Sequence, residues 1–503
     1  MATKIYRGAE ARKIILDGAR ELYETVKETY GPTSGNVGIL TELKGLDVTH
    51  DGVTVATSID LEGPMKAGAE VIKYTAKKMD KELGDGTTTV VILAFSIIEA
   101  VQDALLMGQS PIKIKNELQG EASFVLSKLE SLTDKKVTKE KLEQVAGISA
   151  SDVELGKQVA DIVWQVGAGG NVNVEDGVTA QVEAEVVEGF SIDNGAASNY
   201  MIQDSEKMNT VLEFPKVLVA NKKLTDNNDL IPVLKEVGNS PLLVVANDIS
   251  DSVLSTLIST NYKKLTNIVF VKSPRFADKR TQLLVDLASV VGTEVVDDKQ
   301  VKFDGVKLGE ATKVVVTTES TTILEGRGDI SGRQKEIQGQ IDNAPEDFEK
   351  KEAEQRLAAL SGKAAVIKVG GLSEEEVSEK RYRVDDAVFA CQAALKSGVV
   401  AGGGTTLIDL SEQLPEDSVL RGVLKQPFRV LMDNIGLKGS DLDKDAKIGG
   451  GRGVNTRTGE VVDLFENGII EPAETVRKAI ESAVSIAGTA ITMKALIVEE
   501  DDE

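Results

Sequence analysis

Apolar residues recur along this chain with two periods, and the period changes with position. Ile15, Ala19, Leu22 and Val26 lie three or four apart within residues 9–30. They mark one face of an amphipathic helix that Gly31-Pro32 stops. Val37 to Leu40 and Leu46 to Ala56 read as short strands, with a turn signal at Thr49-His50-Asp51-Gly52. The helical period returns in Met65, Ala69, Ile72, Ala76, Met79 and Leu83, and Val90 to Leu106 is apolar enough for a buried helix. Residues 65–131 are therefore helix-rich, interrupted at Gly84–Thr89 and at Gly108–Pro111, and two further helical stretches fill 139–166.

Strand periodicity then takes over. Val172-Asn173-Val174 and Val182 to Val186 alternate, and Gly167-Ala168-Gly169-Gly170 ahead of them reads as a tight turn rather than a phosphate loop, because no long helix follows. From about 190, short apolar strands (Val217 to Ala220, Leu242 to Ala246, Ile268 to Lys272) alternate with helical stretches near 229–237, 251–262 and 276–288, the texture of an α/β domain. A charged helix is expected over 345–361 and a strand over Ala365 to Val369. Ser373 followed by Glu374, Glu375 and Glu376 opens a helix running to 397. Helical stretches close the chain, and the acidic run Glu499 to Glu503 is expected to be disordered. An α/β middle between two helical ends, with no repeat and no long linker, predicts an inserted domain with the two ends folding together.

Composition narrows the function classes. The 503 residues exceed one compact core, and 41% hydrophobic with 28% charged residues is ordinary for a globular protein. A net charge of -23 repels nucleic-acid backbones, so no nucleic-acid partner is expected. No apolar run reaches the roughly 18 residues of a membrane span, and the N-terminus lacks a signal-peptide core, so no membrane partner and a cytoplasmic location are expected. Cys391 is the single cysteine and His50 the single histidine. A histidine-based triad or two-histidine metal site is thereby removed, leaving carboxylates as the available bases.

Gly84-Asp85-Gly86-Thr87-Thr88-Thr89 carries the chemistry best. It sits where a loop becomes a helix N-terminus, a place that favours an anion. Its glycines allow close backbone approach, and its three hydroxyls can hold phosphate oxygens. Asp85 would repel phosphate unless a hard cation such as Mg2+ lay between them. An N-capped helix is the plain alternative, and local chemistry leaves both readings standing. Gly449-Gly450-Gly451-Arg452-Gly453 reads as a flexible loop before it reads as an anion cradle.

The ordered set Thr29-Tyr30-Gly31-Pro32, Asp51 to Ala56, Gly84 to Thr89, Arg383-Val384-Asp385-Asp386-Ala387 and Val399 to Gly404 resembles that of a group I chaperonin, the GroEL family, and the resemblance runs through essentially the whole chain. It implies a multidomain α/β protein. A mostly α-helical equatorial ATPase domain would come from both chain ends (1–132 and 398–503). A small α+β intermediate domain would span 133–188 and 364–397, and an inserted α/β apical domain 189–363. Its cofactors would be ATP, Mg2+ and K+. Asp85 would be the Mg2+ ligand, with Gly86, Thr87, Thr88 and Thr89 on the phosphates. Thr29, Tyr30, Gly31, Pro32 and His50 would line the nucleotide. Asp386 would position the hydrolytic water once the intermediate domain closes, with Asp51 as a second acid. Gly403, Asn455, Thr456, Arg457 and Glu471 would form the nucleoside side.

Unfolded polypeptide would bind at Tyr200, Met201, Ile231, Leu234, Leu254 and Ile258, with Ala196 and Ser259 as weaker neighbours. Sevenfold rings and a co-chaperonin lid are further implications. The sequence departs from the family at His50 (usually Lys or Asn), Glu471 (usually Asp), Thr456 and Arg457 (usually alanines) and Lys363 beside the hinge Gly362. Two functions follow from the resemblance: an ATP-driven folding chamber, or a chaperonin-fold protein that holds partners with little productive ATP cycling.

Overall fold

The structure is a computed structural model that describes residues 2–41, 45–49, 51–167, 170–177, 179–204, 208–297, 303, 305–343, 347–442 and 447–500. The chain divides into two compact units, residues 1–164 with 378–503, and residues 165–377. Both chain ends thus fold together around an insertion.

The first unit is helical. Its core joins the faces of Gly8–Val26, Lys66–Leu83, Thr87–Ala100, Pro111–Leu132 and Ala473–Thr492. The expected stripe Ile15, Ala19, Leu22 and Val26 is fully buried there, as are Ala69, Ile72, Ala76 and Met79. Thr87–Ala100 runs through the middle, and every side chain from Val90 to Ile98 is buried. Each buried aliphatic side chain contributes roughly 1.5–3 kcal/mol, so this helix is held by packing on all sides rather than by one face. Extended to Leu106, the stretch reaches 20 residues and is apolar enough to cross a membrane, against the expectation that no run is. Its burial among helices of its own unit is the physical reason for that composition.

Two further expectations are corrected in this unit. Leu46 to Ala56 is not one strand: Gly45–Thr49 pairs with Val37–Thr41, and Gly52–Ser58 is a helix. Asp51 makes the switch, its carboxylate accepting from Val53 N (3.3 Å) and Thr54 N (2.7 Å) as an N-cap. At the acidic end, Ala495–Glu500 forms a strand antiparallel to Ala2–Arg7, with Glu499 opposite Thr3 and Glu500 opposite Ala2. Backbone pairing with the first strand orders Glu499 and Glu500 despite their charge.

The inserted unit is built on a nine-stranded sheet. In order across it lie Asn171–Asp176, Lys363–Val369, Glu183–Ile192, Thr321–Gly326, Gly309–Thr317, Lys216–Leu224, Leu242–Ile249 and Ile268–Lys272, with Asn209–Glu213 paired off Gly309–Thr317. The last three in that order are parallel, as the strand and helix alternation required. Gly309–Thr317, Thr321–Gly326 and the helix Ser331–Asp342 were not anticipated. Lys363 opens a strand and is absent from the residues with positive φ, so its side chain imposes no left-handed strain here. A buried ion cluster ties three helices of this unit together. Asp286 accepts from Arg356 Nε and Nη2, both at 2.8 Å, and from Arg333 Nε at 2.7 Å.

Candidate functional site

Lys66–Leu83 and Thr87–Ala100 are joined by three residues, Gly84-Asp85-Gly86. So abrupt a reversal needs left-handed backbone on both sides of Asp85, supplied by Gly84 (φ 64°) and Gly86 (φ 76°). Gly84 N donates to Asp80 O at 2.7 Å, closing the first helix. Gly86 is the N-cap of the second and contributes no side-chain cap. Asp85 folds back to accept from its neighbour Gly86 N at 2.6 Å. The first N–H groups of Thr87–Ala100 are thus not met by a capping side chain, as the plain capped-helix reading would require.

Other acids gather at this turn. A Cβ on Gly52 would lie 2.3 Å from Thr88 Oγ1, so the short helix capped by Asp51 touches the threonine helix directly. Asp386 comes from the helix Glu374–Ser397. Burial raises its pKa well above the usual carboxylate range, and the charges of Asp85, Asp51, Asp80 and Asp385 push it further. Burial also raises Asp85, which only the Gly86 N–H opposes. Asp80, one turn before Gly84, is pushed up to about 6 by burial and by Asp51. The pattern scan missed Asp80, which sits at a polar position of an amphipathic helix. Its only signal is a place five residues before Asp85.

The neighbouring wall is apolar. Ile408, Phe428, Leu431, Met432, Ile448 and Val454 form a cluster against which Tyr30 packs. Leu431 joins two of the expected contacts: a Cβ on Gly31 would lie 2.3 Å from Leu431 Cδ1, and one on Gly403 would lie 4.0 Å from Leu431 Cδ2. Tyr30 OH accepts from Thr89 Oγ1 at 3.2 Å, and Asn434 Nδ2 donates to the carbonyls of Lys27 (2.8 Å) and Tyr30 (2.9 Å). Asn434 and Leu431 were not singled out from sequence. Thr29 is spent internally, its hydroxyl donating to Val26 O at 2.8 Å. Pro32 follows Gly31 in the same turn.

Glu471 lies on the strand Ile470–Pro472, opposite Val400, and burial followed by the charge of Asp85 pushes it up to about 8. Asn455, Thr456 and Arg457 form the turn of the hairpin Arg452–Val454 and Val461–Asp463, where Asn455 Oδ1 accepts from Arg457 N at 3.0 Å. The Gly449–Gly453 loop is neither loose nor an open anion cradle, because Asp409 accepts from Gly450 N at 2.8 Å. His50 lies outside the described residues.

Among the described residues no three His, Cys, Asp or Glu side chains converge to hold a metal unaided. That suits Mg2+, which is commonly held by one or two carboxylates with substrate phosphates. Asp85, Asp386 and Asp80 are carboxylates with raised pKa values, a donor set that fits such an ion.

In the inserted unit, the helices Asn227–Val237 and Asp251–Tyr262 are linked by Asn227 Nδ2 donating to Thr256 Oγ1 at 3.2 Å. Ile231 is 44% exposed and Tyr200 83% exposed, while Leu234, Leu254 and Ile258 are partly covered by the core. Met201 departs from the expected surface set. It is 1% exposed, and its sulfur accepts from Phe270 N at 3.4 Å. The short 3-10 turn Asn199–Met201 points alternate residues to opposite sides, so Tyr200 faces out and Met201 fills the core.

A family model of the TCP-1/cpn60 chaperonin family matches residues 22–231 and 228–501. Among solved structures, the chain is similar to the chaperonin gp146 from the bacteriophage EL 2 (Pseudomonas aeruginosa), crystallised in presence of ATP-BeFx. Crystal form II matches with TM-score 0.77 at 22% identity, covering 99% of each chain. Crystal form I of the same protein matches with TM-score 0.66 at 21% identity and the same coverage. A fold shared along the full length and a family model spanning both units lead to one conclusion: the chain belongs to the TCP-1/cpn60 chaperonin family.

Proposed function

We propose that this chain is an ATP-dependent chaperonin that captures unfolded polypeptides and releases them into a ring-enclosed chamber. The observation that carries the ATP half is the uncapped start of Thr87–Ala100 beside Asp85, Asp386 and Asp80, three acids whose pKa values are all raised. An anion-seeking helix end and a carboxylate cluster are compatible only with a cation between them. ATP with Mg2+ supplies both charges at once. The related gp146 was crystallised in presence of ATP-BeFx, which supports the same ligand class.

In this reading Asp85 holds Mg2+, and Thr87, Thr88 and Thr89 hold phosphate oxygens. Mg2+ would supply charge neutralisation on the phosphates, and K+ is a further expected ion. Asp386 would orient the attacking water and accept its proton as the bond to the terminal phosphorus forms and the bond from that phosphorus to the ADP oxygen breaks, ADP leaving, with Asp51 beside it. Bound cation lowers the cost of ionising Asp386, so its base form is populated when ATP is present. Tyr30, Gly31, Pro32 and Gly403 bound the nucleoside, and Leu431 packs behind them.

The client half rests on Tyr200 and Ile231, exposed beside the half-covered Leu234, Leu254 and Ile258. Unfolded chains are recognised by apolar surface rather than by sequence, and that is the chemistry on offer. The equatorial, intermediate and apical division, sevenfold rings, a co-chaperonin lid and a cytoplasmic setting belong to the same proposal. Steady-state ATPase of the purified protein, followed by release of a bound denatured client on ATP addition, tests it. Turnover with release supports the cycle. Client binding without turnover favours the holding protein instead.

A further inference from the structure

The glycine loop that the phosphate chemistry leaves unused is tied to the nucleoside side of the site. Gly449, Gly450 and Gly451 all have positive φ, at 112°, 59° and 83°. A tight turn of this kind can present backbone N–H to an anion. Here the anion is internal: Asp409, on the helix Thr405–Ser411, accepts from Gly450 N at 2.8 Å. The fit leaves no room for a side chain, since a Cβ on Gly449 would lie 2.8 Å from Asp409 Oδ1.

A second contact lies one helical turn away. A Cβ on Gly453 would lie 2.3 Å from Thr405 Oγ1, so the strand Arg452–Val454 rests directly on the start of that helix. Thr405 and Asp409 are four residues apart and share a helix face, so the loop at Gly450 and the strand at Gly453 meet that face one turn apart. Two matched points therefore fix the angle and register of the strand on the helix. The strand leads straight into Asn455, Thr456 and Arg457, and the helix follows straight from Gly403. Neutral glycine contacts alone would leave the hairpin free to slide. The charge-assisted bond from Gly450 N to Asp409 prevents it.

We propose that Asp409 is a positioning residue for the nucleoside side of the ATP site, holding the Asn455–Arg457 turn at a fixed height against Gly403. The inference rests on the ATP reading given above. It predicts a division of labour, in which Asp409 governs how well a base and ribose are held and has no part in holding the phosphates.

The test is calorimetric binding of Mg-ATP and of Mg-tripolyphosphate, which has no nucleoside, to wild type, Asp409→Ala, Asp409→Asn and Gly451→Val. Asp409→Ala should weaken ATP at least about fivefold and leave tripolyphosphate within about twofold, the scale expected for a charge-assisted bond acting indirectly. Asp409→Asn keeps an acceptor for Gly450 N and should recover most of the affinity. In turnover, KM should rise more than kcat falls. Gly451→Val breaks the turn from the other side and should show the same selective loss, which keeps the inference testable if Asp409→Ala does not fold. Unchanged ATP affinity in Asp409→Ala, or equal weakening of both ligands, overturns the inference and leaves the ATP reading standing. Absence of ATP binding by the wild type removes both.

Discussion

In the helical unit, Asp80, Asp85 and Asp386 carry raised pKa values around a three-residue turn, with Asp51 among the charges responsible. In the inserted unit, Tyr200 and Ile231 stand exposed beside apolar neighbours that are half covered. One region is destabilised by charge and the other by bare apolar surface. Each strain is relieved by a different kind of ligand. In the proposed cycle a hard cation with a phosphate would satisfy the first, and an apolar segment of another chain the second. The chemical region depends on residue identity, because a carboxylate one carbon longer or a missing glycine ends the geometry. The apolar region depends only on area and tolerates substitution. The two regions should therefore fail separately and to different degrees.

The largest expected effect separates them at Asp386. Asp386→Ala should cut steady-state ATP hydrolysis at least about tenfold while ATP binding is retained, because a water-orienting base acts on the transition state more than on the ground state. Capture of a denatured client should be unchanged. Equal losses of binding and turnover would mean that Asp386 shapes the pocket and does not serve the chemistry.

Next in size is the contrast between Met201 and the exposed apolar positions. Met201→Ser empties a buried site and should destabilise the inserted unit by about 2–5 kcal/mol, read as a lower unfolding midpoint. Ile231→Ser with Leu234→Ser should leave the midpoint much less affected and should weaken client retention in a pull-down, with ATPase spared. If Met201→Ser is stable and selectively loses client, the surface lies on the other side of the Asn199–Met201 turn.

These two regions also show what the sequence discloses. Gly84 to Thr89 is legible because a sharp reversal at a helix start permits few residues, and Asp85 in a phosphate loop has few explanations. The buried faces of Gly8–Val26 and Lys66–Leu83 follow from spacing alone, since a helix repeats regularly. Asp51 shows the limit. Its cap turns an apparently alternating stretch into the helix Gly52–Ser58, a contest between side-chain capping and strand propensity that periodicity does not weigh. Asp80 and Asn434 are site residues only because of folding, as each looks like an ordinary polar helix position. Met201 was misassigned because adjacent residues in a 3-10 turn face opposite ways, which a list of apolar positions cannot express. Glu499 and Glu500 are ordered by strand partners at the other end of the chain.

A smaller effect concerns Glu471. Its folded pKa of about 8 lies above its ordinary value of 4.5, so between these pH values the folded, nucleotide-free protein binds a proton that the unfolded chain releases. Stability from this group is present at low pH and is lost as pH rises toward 8. Glu471→Gln cannot lose it. The variant should therefore melt several degrees above wild type near pH 8.5 and close to it near pH 5, the order expected for a shift of about 1–2 kcal/mol. A difference in melting temperature that is the same at both pH values would place the effect in packing instead of charge.

The central claim is that the acids around Asp85 and the open end of Thr87–Ala100 form one site completed by a cation and a triphosphate together. Calorimetric titration of ATP into the wild-type protein, in Mg2+ and again in excess EDTA, tests it most directly. The account predicts binding in Mg2+ that is at least about a hundredfold weaker in EDTA, the scale expected when a half-buried carboxylate faces phosphate with no cation between them. ATP affinity that is the same in EDTA and in Mg2+ would contradict it.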